Sequence, residues 1–208
     1  MTILKAELIA KVNKTLGRNY STTGTDLDAM ITATLKDLSK RGNFLTEEST
    51  RSTIAETAYY SMPDHYKDKL LIMVDDYYPL GWETFKQYQT EFSLSPDSTG
   101  YPQMFSKMNR FYYLRPTPDA IYTLRQFFAC YHPEIVSVDG VDTAACDAIL
   151  FNDIYRTAIE ERLICLVARS MSLYDIAKEH NGYYLQDEIP SLLSVIDEDP
   201  SICDYPDD

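Results

Sequence analysis

The hydrophobic repeat changes period twice along this chain, and that limits the fold more than any single motif does. Leu4, Leu8, Ile9, Val12 and Leu16 recur at helical spacing, as do Leu27, Met30, Ile31, Leu35 and Leu38. From Ser52 to Tyr131 the helical repeat gives way to stretches rich in β-formers, separated by turn signals. The helical period returns at Ile154 and runs through Ala158, Ile159, Leu163, Leu166, Val167 and Met171 to Tyr174. Two short helices cannot be stable alone, so the late helix is their natural packing partner. The order predicts an α+β fold. Two N-terminal helices and one long C-terminal helix form a helical bundle with an inserted antiparallel β-rich domain, followed by an extended C-terminal arm.

Local signals set the expected boundaries. Thr2 and Thr25 stand where N-caps belong, and Gly17 and Gly42 follow the last apolar positions. Ser52 to Tyr60 and Asp68 to Asp75 read as strands, and Trp82 to Tyr88 as a short helix. Gln103 to Lys107 and Arg110 to Arg115 read as a hairpin, and Ala120 to Tyr131 as the longest of about five strands. The long helix begins near Asn152 or Asp153 and closes at Asn181-Gly182. The expected divisions are a helical pair over 1–51 and a β-rich insert over 52–133. A connecting segment and the long helix fill 134–182, and an acidic arm 183–208.

Charge is distributed unevenly. The chain has 19 Lys+Arg against 32 Asp+Glu, a net charge of −13. Met1 to Ala55 is net +2, whereas Asp187 to Asp208 holds eight acidic residues and no Lys or Arg. That sign disfavours an electrostatic grip on DNA, whose phosphates are bound chiefly by Lys and Arg. No apolar run approaches a membrane span, so no membrane partner is expected. The last segment is too apolar for plain disorder. Its Tyr183, Tyr184, Leu185, Ile189, Leu192, Leu193, Val195 and Ile196 either dock on their own domain or bind a neighbouring subunit or partner. On the second reading, deleting Asp187 to Asp208 leaves the fold intact and weakens assembly.

The chemistry-bearing residues do not assemble into a catalytic pattern. Glu160 and Glu161 are adjacent on a helix and point about 100° apart, so they do not converge as an acid–base pair. His65 lies in a turn, His132 ends a strand and His180 sits at a helix C-terminus. None of the hydrolase, zinc-protease or P-loop signatures occurs. Among Cys130, Cys146, Cys165 and Cys203 there is no C-x-x-C pair, and Cys130 with His132 lacks a second pair of ligands. The expectation is no enzyme, no cofactor and no metal.

Three stretches in order carry a resemblance. They are Ala58-Tyr59-Tyr60-Ser61-Met62-Pro63-Asp64-His65-Tyr66, then Gly100-Tyr101-Pro102-Gln103-Met104-Phe105, then Leu114-Arg115-Pro116-Thr117-Pro118-Asp119 leading into Tyr122-Thr123-Leu124-Arg125. Within a helix–helix–sheet–helix plan, this order resembles the head-to-tail adaptor (connector) proteins of tailed double-stranded-DNA bacteriophages, over roughly residues 1 to 180. Met62 stands where the family has Leu, and Glu134 to Leu150 has no residue-by-residue match. The resemblance implies a homo-oligomeric ring of twelve copies in the virion neck, assembled in the bacterial host cytoplasm. Its partners would be the portal protein and tail or nozzle proteins, with DNA passing through the channel without sequence-specific binding. The alternatives are another neck or tail-tube component, or a cytosolic hydrolase with an unrecognised site.

Overall fold

A computed structural model describes residues 2–21, 26–94, 98–135 and 148–196. These fall into two compact units: residues 2–45 with 131–196, and Thr46–Cys130. The fold is mixed α+β, with helices and several antiparallel sheets.

The first unit opens on a strand, β1 (Thr2–Leu4), where a helix cap at Thr2 was expected. β1 pairs antiparallel with β12 (Ala148–Asn152). Strand alternation explains why Ile3, Ile149 and Phe151 are buried while Leu4 and Leu150 are half-exposed. Helix α1 (Lys5–Leu16) follows and ends at Gly17, whose φ of 61° is the left-handed conformation expected of a C′ glycine. Helix α2 (Asp28–Arg41) begins after Leu27, and the cap expected at Thr25 lies outside the described residues.

The long C-terminal helix is in fact two. A single 3₁₀ turn (Asp153–Tyr155) leads into α4 (Arg156–Ser170), and α5 (Tyr174–Tyr183) starts after a reversal at Ser172, φ 60°. Met171 and Ser172 turn back on α4 through bonds to the carbonyls of Val167, Ala168 and Arg169. A continuous apolar stripe concealed this break. Gly182 does not close the helix; it lies inside α5. Both α1 and α2 pack on α4. Leu8, Ile9 and Val12, with Ile31, Leu35 and Leu38, meet Ile159, Leu163, Ile164 and Val167 in one core.

Lys5 is the polar exception in that unit. Its side chain is fully buried, and its Nζ lies 2.8 Å from Asp28 Oδ1, joining the first turns of α1 and α2. A lone buried ammonium would cost several kcal/mol, so the carboxylate is a condition for placing it there.

The second unit begins at Thr46, earlier than the expected Ser52. Strand β2 (Thr46–Ser52) pairs with β11 (Thr123–Cys130), which pairs on its other side with β4 (Tyr66–Val74). β5 (Tyr78–Pro79) completes that sheet. The polar sequence of β2 hid it, because as an edge strand it exposes nearly every side chain. A second sheet has the order β3 (Tyr59–Ser61), β9 (Phe111–Arg115), β8 (Met104–Met108), β6 (Gly81–Trp82). Its hairpin β8–β9 is the one expected from sequence, turning at Asn109, φ 56°. A small parallel pair joins β7 (Thr99–Gly100) to β10 (Thr117–Pro118), after a cis Arg115–Pro116 bond.

Leu80 carries the chain from one sheet to the other. Its N–H donates to Ile72 of the first sheet, and the next N–H, of Gly81, donates to Gln103 beside the second. Leu70, Ile72, Val74, Leu124 and Phe128 are buried on the first sheet, Phe105, Tyr112 and Leu114 on the second. Helix α3 (Phe85–Leu94) brings Phe85 and Tyr88 against Tyr113 at 5.1 and 5.5 Å between ring centres.

Glu83, just before α3, is 4% exposed and its Oε1 has no hydrogen-bond partner. Burial, followed by the nearby Glu91 carboxylate, pushes its pKa above the usual carboxylate range, against the pull of Arg115. A carboxyl whose folded pKa is raised favours the fold while protonated, and this advantage is lost as pH rises through the folded value. Glu83→Gln is therefore expected to be more stable than the parent at pH 7. The difference should disappear below about pH 4, where the unfolded carboxyl is itself protonated, as paired thermal melts would show.

Candidate functional site

The segment singled out as a binding arm is helical, not extended, over its described part. After α5 comes one wide turn (Tyr184–Glu188), closed by the Ile189 N–H donating to Tyr184 O, and then α6 (Ile189–Ile196). Pro190 has no N–H for the carbonyl four residues earlier, which is where a wider i→i+5 turn preserves the helix. That extra residue also keeps Tyr184, Ile189 and Leu192 on one face, all buried in the core of their own unit.

Tyr184 is the anchor. Two guanidinium groups lie over its ring, Arg41 at 5.1 Å and Arg162 at 5.4 Å from its centre. Its hydroxyl donates to Asp37 Oδ2 at 3.0 Å, and both arginines approach that same oxygen at 3.2 Å. Burial, reinforced by the Asp37 charge, pushes the phenol pKa well up, so it remains a donor. Three of the eight candidate contact residues, Tyr184, Ile189 and Leu192, thus serve their own fold. Tyr183, Leu185 and Leu193 are exposed, at 48%, 39% and 37%. The side chains of Val195 and Ile196, and residues 197–208 with most of the arm's acidity, lie outside the described residues. Deleting Asp187 to Asp208 would remove Ile189 and Leu192 from the core, so lost stability is now the expected result.

The outer face of α5 and the wide turn forms an open groove of about 420 Å³, lined by Asp175, Glu179, Asp187, Lys178, Tyr183 and Gln186 among others. Nearby carboxylates, Glu179 first, raise the Tyr183 pKa. The groove has no convergent set of acid, base and nucleophile.

The other candidates have structural duties. Glu160 faces Lys11 at 3.6 Å, and Glu161 Oε2 lies 2.5 Å from His180 Nδ1, tying α4 to α5. His132 is buried and stacked on Phe151, with its ring held at both nitrogens. Nε2 accepts from the Leu150 N–H at 3.0 Å, which leaves Nδ1 to donate to Pro133 O at 2.7 Å. Neither nitrogen is open to a metal shared with Cys130. Burial, then Glu47, pushes the Cys130 thiol up to about 11, so the thiolate a metal would need is disfavoured. No group of three metal-ligating side chains occurs among the described residues. His132→Ala is expected to cost about 1–3 kcal/mol by taking the acceptor from the part-buried Leu150 N–H, measurable by urea unfolding.

A feature that periodicity did not reveal is the crowding of exposed apolar side chains at one end of the sheet unit. Tyr77 and Tyr78 follow β4, and Ile121 precedes β11, each about three-quarters exposed. The available sequence signal was the pair Tyr77-Tyr78 set between Asp75-Asp76 and Pro79, residues that mark a chain reversal.

The profile of the SU10 adaptor protein family matches residues 1–189, spanning both units. The chain belongs to the SU10 adaptor family. It is a phage adaptor-type protein, which points to a structural rather than an enzymatic role and to association with other neck or tail proteins of the virion. No curated protein matches the chain. As an SU10 adaptor-family member it belongs with the virion neck, and no helix among its described residues is long and apolar enough to cross a membrane.

Proposed function

We propose that this SU10 adaptor-family chain is the head-to-tail adaptor of its phage. Twelve copies form a ring below the portal, extend the DNA channel and provide the platform for tail attachment. The observation that carries the reading is the family match over residues 1–189, nearly the whole chain. The ring role falls to the helical unit, where the two N-terminal helices and α4 form the bundle. Tyr183, Leu185 and Leu193 are its exposed contacts to the portal or a neighbouring subunit, supported by their exposure beside a buried anchor at Tyr184.

Charge supports a conduit. A net −13 per copy, multiplied around a ring, repels phosphate within about a Debye length of the wall and leaves DNA free to slide during ejection. Imaging the neck of intact virions, together with light scattering of the purified protein alone and with portal rings, tests the reading. A ring of this chain beneath the portal is expected. A monomer in both samples and no copy in virions sinks it, and a ring elsewhere in the neck favours another neck component.

A further inference from the structure

Among the described residues, four of the five most exposed large apolar side chains lie at one end of the sheet unit: Tyr78 and Ile121 at 76%, Tyr77 at 75% and Ile54 at 64%. They come from three loops that are bound to one another. The Thr53 and Tyr122 backbones are joined by Thr53 N donating to Tyr122 O, and the Thr53 hydroxyl links Ala120 O with Tyr122 N. The 75–77 turn is locked to the start of β11, because Asp75 N donates to Thr123 O while Asp75 Oδ1 accepts from Thr123 N, each at 2.8 Å. Tyr101 packs edge-on against Tyr122 at 5.0 Å and donates its hydroxyl to Val74 O.

The turn is also conformationally costly. Asp75 and Asp76 adopt φ of 49° and 59° in succession, a left-handed pair that non-glycine residues rarely form. A strained, cross-braced turn that presents Tyr77, with Tyr78 next to it at the start of β5, is preorganised for contact, since little loop entropy remains to be lost on binding.

The charge carried by the loops themselves has one sign. The segments 52–58, 75–80, 98–102 and 117–123 contain Glu56, Asp75, Asp76 and Asp119 and no Lys, Arg or His. Asp76 is answered by Arg125 from the adjoining strand, and Asp119 accepts the Tyr122 hydroxyl. Such a surface repels nucleic-acid phosphates and complements a cationic protein segment, with Arg well suited to stack on tyrosine.

We infer that this tip is a docking surface for a different protein of the virion, one that presents a Lys/Arg-bearing segment with apolar flanks. The inference rests on the adaptor reading above. The experiment places p-benzoylphenylalanine at Tyr77, and separately at Ile121, in the full chain assembled into virions. After irradiation, the adduct is mapped by mass spectrometry. The expected adduct joins the tip to a basic segment of another virion protein, and its yield falls at least about tenfold when Glu56→Lys and Asp119→Lys are added. Adducts only to other copies of this chain, only to DNA, or insensitive to the charge reversal overturn the inference. So does the absence of any adduct from particles that contain the chain. Particles that lack the chain altogether overturn the adaptor reading, and this one with it.

Discussion

Lys5→Ala is expected to lower the unfolding free energy by about 3–5 kcal/mol, because it strands Asp28 in a mostly buried position without its cation. The ammonium is fully buried at the junction of α1 and α2, where water cannot take over its role. Removing both charges is a different experiment. Lys5→Met combined with Asp28→Leu keeps the volume and leaves no orphan charge, so the double variant should recover most of the loss. Urea titrations followed by circular dichroism at 222 nm will separate the two. Equal damage from the single and double variants would mean that the pair's individual hydrogen bonds, not its charge balance, hold the helices together.

The second large effect is expected at Tyr184. Tyr184→Ala should cost about 3–5 kcal/mol, the usual range for emptying a buried aromatic site. Tyr184→Phe keeps the ring contacts with Arg41 and Arg162 and loses the hydroxyl with its bond to Asp37, so about 1–2 kcal/mol is expected. Both are measured on the purified chain without partners. Unchanged stability in Tyr184→Ala would show that the C-terminal segment contributes nothing to its own unit.

The helices were legible because their apolar positions recur along one face. Leu8, Ile9 and Val12, and Ile31, Leu35 and Leu38, are buried as that spacing implies. The break between α4 and α5 was not legible, since Met171 and Leu173 continue the apolar pattern through a reversal made by Ser172 alone. β2 escaped notice because an edge strand with both faces wet needs no alternation. Among the described residues, four strands are only two residues long, too short for any periodic signal. At the C-terminus, acidity suggested an arm, yet Tyr184, Ile189 and Leu192 share a face only once a wide turn is admitted. The docking tip was hidden for a related reason. Its side chains matter through lack of cover, which depends on how distant loops converge.

The order in which the two units are made follows from the insertion. Every strand of the sheet unit is complete once Cys130 has left the ribosome, and Thr46 and Ala129 near its two ends are already paired across β2 and β11. The helical unit has to wait. Leu8, Ile31 and Leu35 find their cover only when Ile159, Leu163 and Leu192 have been synthesised. For the time taken to translate α4 to α6, the nascent chain carries a finished sheet domain next to two helices with bare apolar faces. That interval is when a chaperone, or a neighbouring nascent copy, would find those faces open.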